Sequence, residues 1–211
     1  MKNLLFWIFL IGGTFIFIGS CAKKDEDTTA TASCSSDTTA SGSITVGSET
    51  MSGVYLSACN DGFASSAGSS IFPSDVKSGY SVVVVTGDAA ISEEILMYTD
   101  TACSTPSMTW KKGRTEFTVG SASGSNYAVT YKEATVKVKV STDVAKSHMD
   151  TFAQSVGLSE TFTKGTESTI TDDQGTKHNL FLVTSTTVRH AEAASSTPSA
   201  LDSMVMTKAC Q

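Results

Sequence analysis

The chain has 211 residues, of which 15 are Lys or Arg and 21 are Asp or Glu, giving a formal net charge of −6. The basic residues are scattered, apart from the pairs Lys23–Lys24 and Lys111–Lys112. Without a cationic stripe the chain lacks the electrostatic footprint of a nucleic-acid binder.

From the N-terminus, Lys2 makes a short basic start, and Leu4 to Ile18 is almost continuous apolar sequence broken only by Gly12, Gly13 and Thr14. The run is too short for a comfortable membrane span. It has the n-region and h-region of a secretory signal peptide. At its end the residues Ile18, Gly19, Ser20 and Cys21 resemble the lipobox of bacterial lipoproteins, with Ile18 where that family most often has leucine. The resemblance implies that residues 1–20 are removed, that the Cys21 thiol carries a diacylglycerol, and that its new amino group carries an acyl chain such as palmitate. Each buried methylene contributes about 0.8 kcal/mol, so one chain is marginal and two or three hold firmly. Ala22 stands where an aspartate often signals inner-membrane retention, so the implied address is the cell envelope, with the outer membrane favoured. Loss of Lys2 with the signal leaves 14 basic residues against 21 acidic.

Residues 22–43 contain no large apolar side chain and are rich in Thr, Ser, Ala and Asp. Such a segment buries too little surface to offset its ordering entropy, so residues 21–43 read as a lipidated, disordered tether. The remainder, 44–211, is the right size for a single domain with its own core.

Within that domain the period is mostly two. In residues 135–141, TVKVKVS, the valines Val136, Val138 and Val140 fall on one face and Lys137 and Lys139 on the other. Weaker strand candidates are 53–59, 93–98, 115–120, 127–132, 168–171, 179–184 and 203–208. Turn clusters separate them: NDG at 60–62, TGD at 86–88, KKG at 111–113, SASGSN at 121–126 and DDQG at 172–175. Many short strands with Gly and Asp turns imply an all-β domain, an antiparallel meander barrel or a sandwich. One strand, YSVVVVT at 80–86, is apolar on both faces and needs a cover outside as well as inside. The natural cover is a helix around 143–156, capped by Thr142 or Asp143 and stopped by Gly157. Its expected buried face carries Val144, His148, Phe152 and Val156, with Phe152 over Val83 and Val85 or over their alternates.

Four cysteines follow the lipobox, and an even number in an exported chain reads as two disulfides. Three pairings are open; the strand-like segments that end at Cys59 and Cys103 favour joining those two, which would leave Cys34 with Cys210. A zinc site is disfavoured, because no two cysteines are close and no histidine pairs with one at ligand spacing.

A lipid-anchored antiparallel β-domain with a covering helix and two disulfides resembles the lipocalin-like lipoproteins of bacteria. Gly53 and Tyr55 in SGVYLSAC carry the resemblance, where the family often has glycine, any residue, then tryptophan. The basic residue that usually lies over that ring would here be a lysine, Arg114 or Arg189, and the helix falls inside the strand series rather than after it. The resemblance implies a cup for a small apolar ligand, with Tyr55, Trp110 and Met206 as candidate contacts. Trp110 is the single tryptophan left once Trp7 departs with the signal, and it could sit at the mouth of the cup or cap the core.

No enzyme is expected. GSASG at 120–124 has alanine where a nucleophile elbow has serine, and no phosphate loop is present. His148 on the buried face of the helix reads as a packed or rim residue, and neither His178 nor His190 has a sequence neighbour that would orient it as a base. Glu93–Glu94 and Asp172–Asp173 read as surface pairs, at most one glutamate facing an interior. No cofactor or metal is expected. Two functions stand: a ligand-binding or sequestering barrel anchored to the membrane, and a surface-exposed, adhesin-like module that binds a protein partner through Ser/Thr/Gly-rich loops such as 64–70 and 121–126.

Overall fold

The computed structural model describes residues 36–62, 72–171 and 175–210. The signal segment, Cys21, Cys34, the 64–70 loop and the pair Asp172–Asp173 lie outside the described residues. In chain order the elements are β1 (Ile44–Val46), β2 (Glu49–Met51), β3 (Val54–Leu56), β4 (Ser78–Gly87), β5 (Ala90–Tyr98), β6 (Pro106–Ser123), β7 (Asn126–Val140), α1 (Asp143–Ser155), β8 (Glu167–Thr171), β9 (Thr176–Val183), β10 (Thr187–His190) and β11 (Met206–Cys210).

Every strand pairing is antiparallel. β3 to β7 and β9 to β11 follow one another around a ring that closes where β11 pairs with β3, so the domain is an eight-stranded meander barrel rather than a sandwich. β8 stands outside the ring: β7 gives its first half, Tyr127–Lys132, to β9 and its second half, Thr135–Lys139, to β8. The long hairpin of β6 and β7 turns at Gly124–Ser125 between the paired residues Ser123 and Asn126. Residues 111–113, read as a turn from KKG, instead run through the middle of β6. The glycine there adjoins a register shift between Gly113 and Arg114, a bulge that bends the strand instead of ending it.

The inside of the ring identifies itself. One buried apolar cluster takes side chains from every barrel strand, among them Tyr55, Val83, Val85, Ile91, Phe117, Tyr131, Phe181, Val183, Val188 and Met206. Only the interior of a closed barrel can collect such a set. The β1–β2 hairpin adds Ile44, Val46 and Met51 to this cluster and plugs that end of the barrel.

The four valines of β4 are covered on both sides, but not by the helix. Val83 and Val85 face the core; Val82 and Val84 face outward against Val54, Leu96 and Tyr98, with Ala40 and Leu56 packed over them. The outer cover includes residues 36–43, the last part of the expected tether. Ser36 Oγ donates to Glu94 Oε2 at 2.7 Å, Asp37 pairs with Lys111, the Ser41 amide donates to Val85 O at 2.9 Å and the Ser43 amide donates to Asp88 at 3.1 Å. These polar contacts, which composition does not reveal, carry the packed unit back to Ser36.

α1 begins and ends close to expectation. Thr142 caps it, its hydroxyl accepting from the Ala145 amide at 3.0 Å and donating to Asp75 at 2.6 Å. At the other end the Leu158 amide donates to Ala153 O and the Gly157 amide to Gln154 O, the paired bonds of a Schellman motif. Its buried face is shifted by one residue from the expected stripe: Ala145, Met149 and Ala153 are buried, whereas Val144 is 43% exposed. Small alanines let the helix lie close on Met108, Val136, Val138, Val140 and Ile170, a second core beyond the first. Phe152 therefore meets Trp110 edge-on, ring centroids 6.4 Å apart, and lies over neither Val83 nor Val85.

Candidate functional site on the inner face of the barrel

Strand register orders the inner face into rows, each about 7 Å from the next. Nearest the plug, Val85, Ile91, Arg114 and Glu133 lie side by side across β4 to β7; next come Val83, Glu93, Lys112 and Val136; then Ser81, Ile95, Trp110 and Val138; last Gly79, Met97, Met108 and Val140. The first row is buried. In the third, Ser81, Ile95 and Trp110 are each half-buried. The last row is buried as well, packed beneath α1, so the inner face meets solvent between the two packed ends, at Glu93, Lys112, Ser81, Ile95 and Trp110.

The opening has two sides. On one, Ile95 and Trp110 continue into Phe152 of α1. On the other lies a recess of about 230 Å³ lined by Ser57, Ala58, Asn60, Gly79, Ser81, Met204 and Val205. Met204 and Val205 come from the connection between β10 and β11, and Val205 is 46% exposed.

Below this opening lies a charged floor. Arg114, only 3% exposed, donates through Nη1 to Glu133 and through Nη2 to Glu93, and its guanidinium sits 4.4 Å from the centre of the Tyr131 ring. The Tyr131 hydroxyl accepts from Asn179 at 3.1 Å, and burial holds its proton well above the ordinary phenol range. Burial is the largest influence on the Glu93 carboxyl and would raise it, but the charge and hydrogen bond of Arg114 together with the nearby His190 and Lys112 outweigh it and hold Glu93 below the usual carboxylate range. Two atoms of this group, Glu93 Oε1 and Arg114 Nε, are buried without a hydrogen-bond partner among the described residues. From the β10–β11 connection, the Asp202 amide donates to His190 O at 3.2 Å, while Arg189 donates to Asp202 O at 2.7 Å. Burial raises the Asp202 carboxyl and the nearby Glu93 charge adds to that, against the opposing pull of His190. His190 stacks on Phe181 with centroids 5.3 Å apart.

The three expected ligand contacts do not come together. Tyr55 and Met206 are fully buried in the first core, and Trp110 is half-buried against the second. The basic residue over an aromatic ring is Arg114, and its ring is Tyr131 rather than Tyr55. Glu93 and Glu94, read as surface groups, are both withdrawn from solvent: Glu94 is 2% exposed under residues 36–37, and Glu93 faces the interior with 16% of its side chain exposed. A signal for Glu93 did exist, since period two places it on one face with Ile91, Ile95 and Met97. Its partners Arg114 and Glu133 come from strands that only the folded register brings together.

Cys59 and Cys103 form the expected disulfide, joining the segment after β3 to the β5–β6 connection across a separation of 44 residues. Cys210 is also disulfide-bonded. Its expected partner, Cys34, is outside the described residues. His148 is half-buried on α1, and His178 bridges to Ala194 by paired backbone bonds. Among the described residues no group of three or more His, Cys, Asp or Glu is placed to hold a metal ion. No helix among them is long and apolar enough to cross a membrane. Neither a protein-family model nor a curated protein matches the chain.

Proposed function

We propose that this is a lipid-anchored, extracytoplasmic barrel that binds a small ligand at the partly exposed stretch of its inner face, between the plug and α1, without catalysis. The observation that carries the binding reading is the half-exposed inner row of Ser81, Ile95 and Trp110 above a buried charged floor at the plugged end of the barrel. The recess of about 230 Å³ lies just below the roughly 300–1,000 Å³ of ordinary ligand pockets, which favours a compact ligand over a long acyl chain. The anchor reading rests on residues 18–21, and it places the barrel at the cell envelope, with the outer membrane favoured.

Both parts have direct tests. Labelled palmitate should enter the chain in the producing bacterium and be lost in Cys21→Ser; labelling that survives the substitution contradicts the anchor. For binding, the chain from residue 21 to 211 carrying Cys21→Ser has Trp110 as its single tryptophan. Its emission should shift with saturation on titration with compact apolar probes such as cyclohexane derivatives, and an unmoved spectrum contradicts the cup.

A second reading, display of a surface for a protein partner, draws on β8. That strand ends the sheet, with β7 as its one neighbour in the strand order, so its far edge can pair with an added strand. The two readings separate on substitution: Ser81→Phe should abolish ligand binding, whereas a proline at Thr169 should abolish partner binding only.

A further inference from the structure

Resting on the ligand-binding reading above, we propose that the cup takes a small amphipathic molecule with a neutral hydroxyl head, seated between Glu93 and Arg114. The ion pair on the floor is only half made. A guanidinium edge can offer two N–H groups side by side to two carboxylate oxygens. Here Nη2 meets Oε2, while Arg114 Nε and Glu93 Oε1, both buried, are left without partners among the described residues.

One donor and one acceptor left over in the same pair define the complement they need. A hydroxyl has a lone pair for Nε–H and a proton for Oε1, so it satisfies both at once. An ammonium has only protons to give, and it would place a second cation against Arg114. A carboxylate can only accept, and it would place a second anion against Glu93. The neutral head is therefore the one that neither member of the pair repels.

The rest of the cup fits such a molecule. Glu93 keeps 16% of its side chain exposed, against 4% for Arg114, so the approach to the pair runs along Glu93. One row above, about 7 Å away, Ile95 and Trp110 supply an apolar wall that Phe152 extends. That spacing matches one ring and a methylene between wall and floor, and the recess lined by Ser81, Gly79 and Met204 adjoins the same row through Ser81. Lys112, His190 and Asp202 surround the pair and are engaged electrostatically with Glu93 or with one another.

The test uses the chain from residue 21 to 211 with Cys21→Ser and reads Trp110 emission. The probes are cyclohexylmethanol, cyclohexylmethylamine and cyclohexanecarboxylate, which share one apolar body and differ in the head. The alcohol is expected to bind at least roughly tenfold tighter than either charged analogue, because each of those leaves a buried polar atom unmatched. In Glu93→Gln the penalty against cyclohexanecarboxylate should shrink several-fold, since the repelling charge is gone. Ser81→Phe, whose circular dichroism reports that the barrel is intact, should lose the response to all three. Equal affinities, or preference for a charged head, overturn the hydroxyl assignment while leaving the cup standing, with water then filling the gap in the pair. No response to any probe overturns the cup reading as well.

Discussion

At Arg114 the barrel encloses a cation that two carboxylates and the Tyr131 ring compensate, its side chain being only 4% exposed. Removing one partner of such a group strands the others in a low-dielectric interior. Arg114→Met should therefore cost about 3–5 kcal/mol of stability, measured by denaturant unfolding. Replacing Glu93, Arg114 and Glu133 together by apolar residues of similar volume should recover most of it, and the two results together separate charge stranding from lost packing. Asp202 offers a test by pH. Its carboxyl lies above the ordinary range through burial and the Glu93 charge, so the native state holds that proton more tightly than the unfolded chain does. The linked stability is present in acid and is lost as pH rises through the raised value. Asp202→Asn should accordingly leave stability unchanged at about pH 3 and increase it at about pH 7; a difference that is the same at both pH values contradicts the assignment.

Among the elements, residues 36–43 behave as a strap latched by Asp37. The Lys111 hydrogen bond is the largest influence holding the Asp37 carboxyl below its usual value, while the side chain stays 60% exposed. A depressed carboxyl contributes stability above the ordinary aspartate range and loses it as pH falls, and so exposed a pair contributes no more than about 1 kcal/mol. Asp37→Asn should speed amide exchange at Ser41 and Ser43, with little effect on the barrel strands; slow exchange retained there argues that the backbone bonds alone hold the strap. The plug hairpin has a sharper dependence. Gly47 has φ +66°, and a Cβ there would lie 2.2 Å from the Tyr127 hydroxyl oxygen. Gly47→Ala should destabilise by more than about 1 kcal/mol, and Tyr127→Ala in that background should return part of the loss, as melting temperature will report.

How far these elements can be read from sequence depends on where their determinants lie. The helix ends were legible because Thr142 and Gly157 act on backbone within a few residues of themselves. Its buried face was not, because two stripes of four-residue spacing run along it one residue apart, and side-chain size pointed to Val144 and Phe152. Close approach to β7 instead selected Ala145 and Ala153. β1, β2 and β10 passed unnoticed at three or four residues each, too short to display a period. The charged floor was illegible for a different reason: Arg114 meets Glu93 and Glu133 across 21 and 19 residues, through a register that the sequence does not state.

For the molecule as a whole, eight strands in meander order give an interior just wide enough for side chains to fill, and here two clusters fill it, one at the plug and one beneath α1, with partly exposed residues between them. The disulfide between Cys59 and Cys103 supports that arrangement from outside, closing a 44-residue separation over the outer face of β4 and β5. Its removal by Cys59→Ser with Cys103→Ser should lower stability by about 2–4 kcal/mol, the range expected for a loop of that length. Retained ligand binding in that variant would show that the cup is organised by the barrel interior rather than by the cross-link. The all-β class and this disulfide were both legible from local pattern and cysteine spacing. The division of the barrel interior into two packed ends with a partly exposed band between them was not, because it depends on which rows of the closed ring receive large side chains.

That division is the central claim, and native mass spectrometry of the chain from residue 21 to 211, with Cys21→Ser, produced in an oxidising compartment and kept free of detergent, tests it most directly. A compact ligand carried through purification, or taken up at one copy per chain from a panel of small amphipathic alcohols, and excluded by Ser81→Phe, is the expected result. A bare mass that no member of the panel changes would contradict the cup and leave the display of a binding surface as the function.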